Sequence, residues 1–227
     1  MQFLEWSVVG LRSAKYELVN VERGITITIF PMVHIAEQAF YDAVYTDAAE
    51  HDLVILEGIG SKVATRITRS YRWLKPEKLG MVVQPKFPKG NAQTILGDLP
   101  GEDFDAIWNE APLRTRVLLE LGAGVLGIWK RLTARRSSIG RKLNSNDLKD
   151  RDWIMSWNEE VAAVFSALSE TRDMHLQKTI FEVLDDAEPI QSIAVIFGAA
   201  HMGPLVHCLS KNGFNVSSSD WLLAFSS

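Results

Sequence analysis

Two histidines and a glutamate each stand just beyond a short, strongly apolar run. His34 follows Ile25-Thr26-Ile27-Thr28-Ile29-Phe30, Glu57 follows Leu53-Val54-Ile55-Leu56, and His201 follows Ile193-Ala194-Val195-Ile196-Phe197. Imidazoles and a carboxylate converging on a cleft can activate water as general bases, or hold a divalent metal with positions left open for water and substrate. Each residue also has a plainer role. A histidine at a strand end can be a satisfied polar group, and Glu57 can cap the N–H groups from Gly58 to Ser61. Against the cap stands the strand before Glu57, too apolar to leave a carboxylate facing the core unpaired. His51, His175 and His207 have no comparable setting and read as structural, although His207 shares an apolar helix with Cys208.

The elements that must position these residues are strands ending at a common edge. Ile25 to Phe30 is β-branched and aromatic, bounded by Arg23-Gly24 and Pro31, and predicts a buried strand. Ala36 to Glu50 has helical composition, and Leu53 to Leu56 is a second apolar strand. The order is that of a βαβ unit, which places functional side chains beyond the carboxyl ends of its strands. Ile196-Phe197-Gly198-Ala199-Ala200-His201-Met202 echoes Ile29-Phe30-Pro31-Met32-Val33-His34-Ile35, which suggests two related half-sites facing one cleft.

Further strands are expected over Phe3 to Leu11 and Tyr16 to Val21, with a hairpin turn at Glu22-Arg23-Gly24, so the sheet is mixed with an antiparallel start. Met81 to Gln84, Thr94 to Leu96 and Trp221 to Phe225 complete the strand pattern. Helices are expected at Ser61 to Leu74, Pro100 to Trp108, Leu113 to Leu132, Asp147 to Ser169, Leu176 to Leu184 and Pro204 to Lys211. The basic face Lys62, Arg66, Arg69 and Arg72, and the basic run from Lys130 to Lys142, are solvated surface or hold an anionic group. Leu113 to Arg136 carries large apolar residues and Gly122, Gly124 and Gly127. It reads as packed core or as a moving cover for the cleft.

Composition removes several classes. With 227 residues, 47% hydrophobic and 23% charged, the chain can bury one substantial core. A net charge of −4 argues against a nucleic-acid partner. The single cysteine, Cys208, excludes an internal disulfide and fits a reducing compartment. No signal peptide is visible in Met1 to Gly10, and Val117 to Trp129, interrupted by Glu120, is too short to span a bilayer. A cytoplasmic protein without a transmembrane segment is expected, its oligomeric state open.

With these landmarks placed, the chain resembles the TraB/PrgY/GumN superfamily, which includes Tiki proteases and erythromycin esterases. The resemblance runs in scattered blocks from Thr26 to Phe225. Its best block is Ile193 to Met202, similar to the family's second Gly-x-x-His motif, with Gly213-Phe214 and Trp221-Leu222-Leu223-Ala224 behind it. His34 and Glu57 match the first motif's histidine and the acidic residue ending the next strand. Arg151-Asp152 is similar to an Arg-Asn pair opening a late helix, and Gln84 and Asp98 resemble a glutamine and an aspartate that also end strands. Pro31 stands in place of the first motif's glycine, and Asp152 in place of the asparagine.

The resemblance implies one α/β domain over 1–227, with a mixed central sheet, helices packed around it and a helical insertion at about 100–150. It implies a hydrolase cutting a peptide or ester bond of a small-molecule or peptide substrate. The catalytic residues would be His34, Glu57, His201 and Arg151, with Gln84 and Asp98 binding substrate. A divalent metal on His34, Glu57 and His201 is a possible cofactor. Arg151 can orient Glu57 or hold a substrate carboxylate bidentately, or simply pair with Asp147 or Asp150. The alternative is a non-catalytic ligand- or peptide-binding regulatory protein, which Pro31 favours because proline removes a backbone donor that glycine can offer.

Overall fold

The computed structural model describes residues 1–68, 75–90, 92–119, 135–144, 159–186 and 190–227. Its strands are β1 (Leu4–Trp6), β2 (Gly10–Asn20), β3 (Ile25–Met32), β4 (Ile35–Ala36), β5 (Leu53–Leu56), β6 (Val82–Val83), β7 (Gln93–Leu96), β8 (Ser192–Gly198) and β9 (Asn215–Ser226). The helices are α1 (Gln38–Ala48), α2 (Lys62–Thr68), α3 (Gly101–Glu110), α4 (113–119), α5 (Arg136–Leu143), α6 (Glu159–Leu184) and α7 (Met202–Lys211). The fold is α/β, a mixed central sheet with helices packed around it.

The antiparallel half is set by a hairpin. β2 and β3 are joined through a turn in which Gly24 takes φ +67°, a conformation glycine adopts without steric cost. β9 pairs antiparallel with β2 along the other side, with register shifts at Leu11/Arg12 and Glu17/Leu18. The parallel half runs β3-β8-β5-β7. β8 therefore lies between β3 and β5, the two strands of the βαβ unit expected from sequence, and pairs in parallel with both.

Alternation along the parallel strands divides the core into two layers. On one face Phe30, Met32, Val54, Ala194 and Ile196 pack against Phe40, Tyr41, Val44 and Ala48 of α1. On the other, Ile27, Ile29, Leu53, Ile55, Val195 and Phe197 pack against Leu176 and Ile180 of α6 and Leu205 and Leu209 of α7. Val195 and Phe197 have no exposed surface, and burying such side chains stabilises the fold by roughly 1.5–3 kcal/mol each. A third cluster joins Ala64 of α2, Phe104 and Trp108 of α3, and Val164 and Leu168 of α6.

Several expectations change here. Phe30 and Phe197 are equivalent in the sequence echo but lie on opposite faces, because the β3–β8 register pairs Phe30 with Ile196 and Pro31 with Phe197. A one-residue offset reverses the face of every side chain. The helices expected at Asp147 to Ser169 and Leu176 to Leu184 are one helix over its described part. β9 begins well before Trp221, and Ser61 caps α2 as expected, its Oγ accepting the N–H groups of Val63 and Ala64. Of the segment read as core or cover, 120–134 lies outside the described residues; in α4, Leu113, Val117 and Leu118 are exposed. Among the described residues, no helix is long and apolar enough to cross a membrane.

Candidate functional site

The register sets four side chains along one edge. Phe30, Ile196, Leu56 and Leu96 share a single row across β3, β8, β5 and β7. Just beyond that row the strands release His34, His201, Glu57 and Asp98, at the carboxyl edge where α/β sheets build their sites.

Glu57 is the centre. Its N–H donates to the Ile196 carbonyl at 3.0 Å, which extends the β5–β8 ladder by one residue and aims the side chain across β8. Its Oε2 accepts the Gly198 N–H at 2.7 Å and its Oε1 accepts Nη2 of Arg172 at 2.5 Å. A side chain at position 198 would stand 3.2 Å from a Glu57 oxygen and 3.6 Å from the His201 ring, so this glycine is where the backbone must come close. Burial pushes the Glu57 carboxyl upward; the Arg172 guanidinium, and after it the His34 and His201 imidazoles, outweigh burial and hold it below its ordinary value.

Arg172 joins Glu57 to Asp98. Its Nε donates to Oδ1 and its Nη2 to Oδ2 of Asp98, both at 2.8 Å, and the Asp98 side chain is fully buried. The N–H groups of Leu99 and Gly58 donate to the same carboxylate at 2.9 and 3.3 Å. Burial alone would lower the pKa of Arg172; Asp98 and Glu57 reverse this and raise it. The guanidinium carbon also lies 5.6 Å from the centre of the Phe197 ring.

Asp173, the next residue of α6, serves His201. Its Oδ1 lies 2.5 Å from His201 Nδ1, and both residues are buried. The imidazole stands edge-on to Phe197, with ring centres 5.2 Å apart. A carboxylate on Nδ1 fixes the ring and leaves Nε2 as the position for exchanging protons.

His34 is exposed at the rim. β4 and β6 form a two-stranded ladder beside it, with Ile35 opposite Val83 and Ala36 opposite Val82, and the Gln84 N–H donates to the His34 carbonyl at 2.9 Å. The Gln84 side chain hydrogen-bonds to the Tyr45 hydroxyl.

The expected site residues thus divide. Glu57 and Asp98 share one hydrogen-bonded group with Arg172, His201 is bonded separately to Asp173, and both His201 and His34 stand within electrostatic reach of Glu57. Gln84 is tied to the backbone of His34, not to the carboxylates. Arg151 lies outside the described residues, as do Asp147, Asp150 and Asp152. Arg172 and Asp173 were missed, yet they carry the same Arg-Asp dipeptide as 151–152, in the helix that leads into β8.

Among the described residues no three His, Cys, Asp or Glu side chains form a group able to hold a metal ion. Both Glu57 oxygens are engaged and the cation beside them is Arg172, so these residues do not fit a divalent ion as they stand. The cleft at Ile59, Gly60, Ser61, Lys62, Thr65 and Arg66 lies further along the chain from Glu57. No family model, curated protein or solved structure matches the chain.

Proposed function

We propose that this chain is a hydrolase for an ester or peptide bond, with His201 as the general base. The observation that carries the reading is the 2.5 Å contact between His201 and Asp173, made beside a carboxylate held ionised by Arg172. In the proposed step, Nε2 of His201 takes a proton from water as the oxygen attacks the substrate carbonyl carbon. The proton then passes to the leaving oxygen or nitrogen as its bond to that carbon breaks, which regenerates the neutral imidazole. The resemblance to the TraB/PrgY/GumN superfamily points to the same bond classes.

The second reading, a non-catalytic ligand- or peptide-binding protein, is favoured by a specific observation. Every carboxylate of the cluster is already paired, and His201 is only 6% exposed, as in a polar network whose task is to hold α6 on the sheet. The two readings separate on a panel of ester and peptide substrates with wild-type protein and His201→Ala. Turnover that falls by about 10²–10⁴-fold in the variant supports the hydrolase. Turnover that is absent, or indifferent to His201, leaves the binding reading. Metal analysis of the same samples tests the metal-dependent form, since a stoichiometric ion lost with His201 or Glu57 would mean that Arg172 gives way to it.

A further inference from the structure

His34 differs from the other cluster residues in being exposed, on a segment whose only regular pairing is the short β4–β6 ladder. Two residues per strand is little to hold a functional imidazole in place. Further support for the segment comes from α1, where Tyr41 and Tyr45, one turn apart, project from the same face. The Tyr41 hydroxyl donates to the Val33 carbonyl at 2.8 Å, immediately before His34. The Tyr45 hydroxyl donates to the Pro85 carbonyl at 2.7 Å, immediately after Gln84. The Gln84 amide, in turn, donates to the His34 carbonyl. Both strands of the small ladder are therefore tied to α1 at the point where His34 leaves it.

We infer that Tyr41 and Tyr45 are positioning residues for His34, acting through the Val33 and Pro85 carbonyls rather than by touching substrate. Three further facts agree. Both rings are buried, Tyr41 completely, and they lie 6.2 Å apart with Phe87 closing the row against Tyr45 at 5.2 Å. Burial raises the pKa of each hydroxyl, so both remain protonated donors at neutral pH. Pro85 lies beyond the two-residue ladder, and the Tyr45 hydroxyl is the donor its carbonyl receives. The assignment rests on the proposal that His34 belongs to the site.

The test uses the full chain with labelled histidine and needs no substrate. Tyr41→Phe and Tyr45→Phe keep the rings and remove only the hydroxyls. Tyr16→Phe is the control: its hydroxyl donates to the Gln2 carbonyl at 2.7 Å, in the antiparallel half away from His34. The expected result is a shifted or broadened His34 ring signal in both α1 variants, an unchanged His201 signal, and Gln84 amide exchange faster by about fivefold. Tyr16→Phe leaves all three readouts at wild-type values. A His34 signal unmoved by both α1 variants, or moved as much by Tyr16→Phe, overturns the inference. A protein without turnover on any ester or peptide defeats the hydrolase reading and does not touch these signals, so the two failures are distinguishable.

Discussion

Arg172 and Asp98 meet as a closed fork, Nε to Oδ1 and Nη2 to Oδ2 at 2.8 Å each, around a carboxylate that has no solvent exposure. The same Nη2 reaches Glu57. One guanidinium thus compensates a fully buried carboxylate and a mostly buried one, and joins α6 to the loops after β5 and β7. Bidentate geometry of this kind is particular to arginine.

Removing that cation leaves buried charge without a partner. Arg172→Met, which keeps a long apolar stem, is expected to destabilise the protein by about 3–5 kcal/mol, the range for breaking a buried pair. Urea unfolding at neutral pH measures it. A loss under about 1 kcal/mol would place the fork with exposed ion pairs and remove its organising role.

Glu57 gives a pH dependence with a defined sign. Its folded-state carboxyl lies below its ordinary value of 4.5, so the unfolded chain binds the proton more readily. The stabilisation is present above the ordinary value and is lost as pH falls through the folded value. Wild-type protein should therefore lose stability steeply on acidification, whereas Glu57→Gln should be less stable at neutral pH and follow a flatter profile. Unfolding midpoints from neutral pH to about pH 3 check this. Parallel profiles for the two proteins would assign the acid sensitivity to other carboxylates.

Pro31, whose missing N–H favoured the binding reading, stands where the sheet asks no backbone donor of it. Thr26 N–H donates to Gln191 on the β8 side of β3, and alternation then turns the amide position of residue 31 toward β2. There the β2–β3 register has already ended at Tyr16 and Ile29, and Ser13 Oγ donates to the Pro31 carbonyl at 2.6 Å. Pro31→Gly is expected to cost about 0.4–1 kcal/mol through the greater freedom of the unfolded chain. It should leave the His201 and His34 ring signals unchanged. A shift in the His201 signal would show that the backbone at 31 does bear on the cluster.

The strands were legible because β-branched runs bounded by glycine, proline and polar residues leave little choice of structure. His34, Glu57 and His201 were singled out by the same reasoning, since each follows such a run, whereas Asp98 came only from the family resemblance. Arg172 and Asp173 were hidden by the rule that located the helices. They are inward positions of α6 occupied by charge because they face carboxylates and an imidazole, so the apolar period lapses there and the helix reads as two. The place of β8 was equally hidden. Its neighbours are chosen by pairing between residues distant in the chain, and the echo between its end and that of β3 suggested an equivalence that the register contradicts by one residue.

The insertion of β8 between β3 and β5 has a consequence for how the molecule is made. On the ribosome the chain exposes β3 and β5 long before the strand that fits between them, and α6 emerges first. The slot cannot close until β8 is complete, so two apolar strands wait with unpaired edges while most of the chain is synthesised. Long-range parallel pairings are slow to form, and waiting edges are where newly made chains associate wrongly. The strand that brings His201 to Glu57 is thus also the one on which completion of the sheet depends, and the cluster is assembled in the same late event.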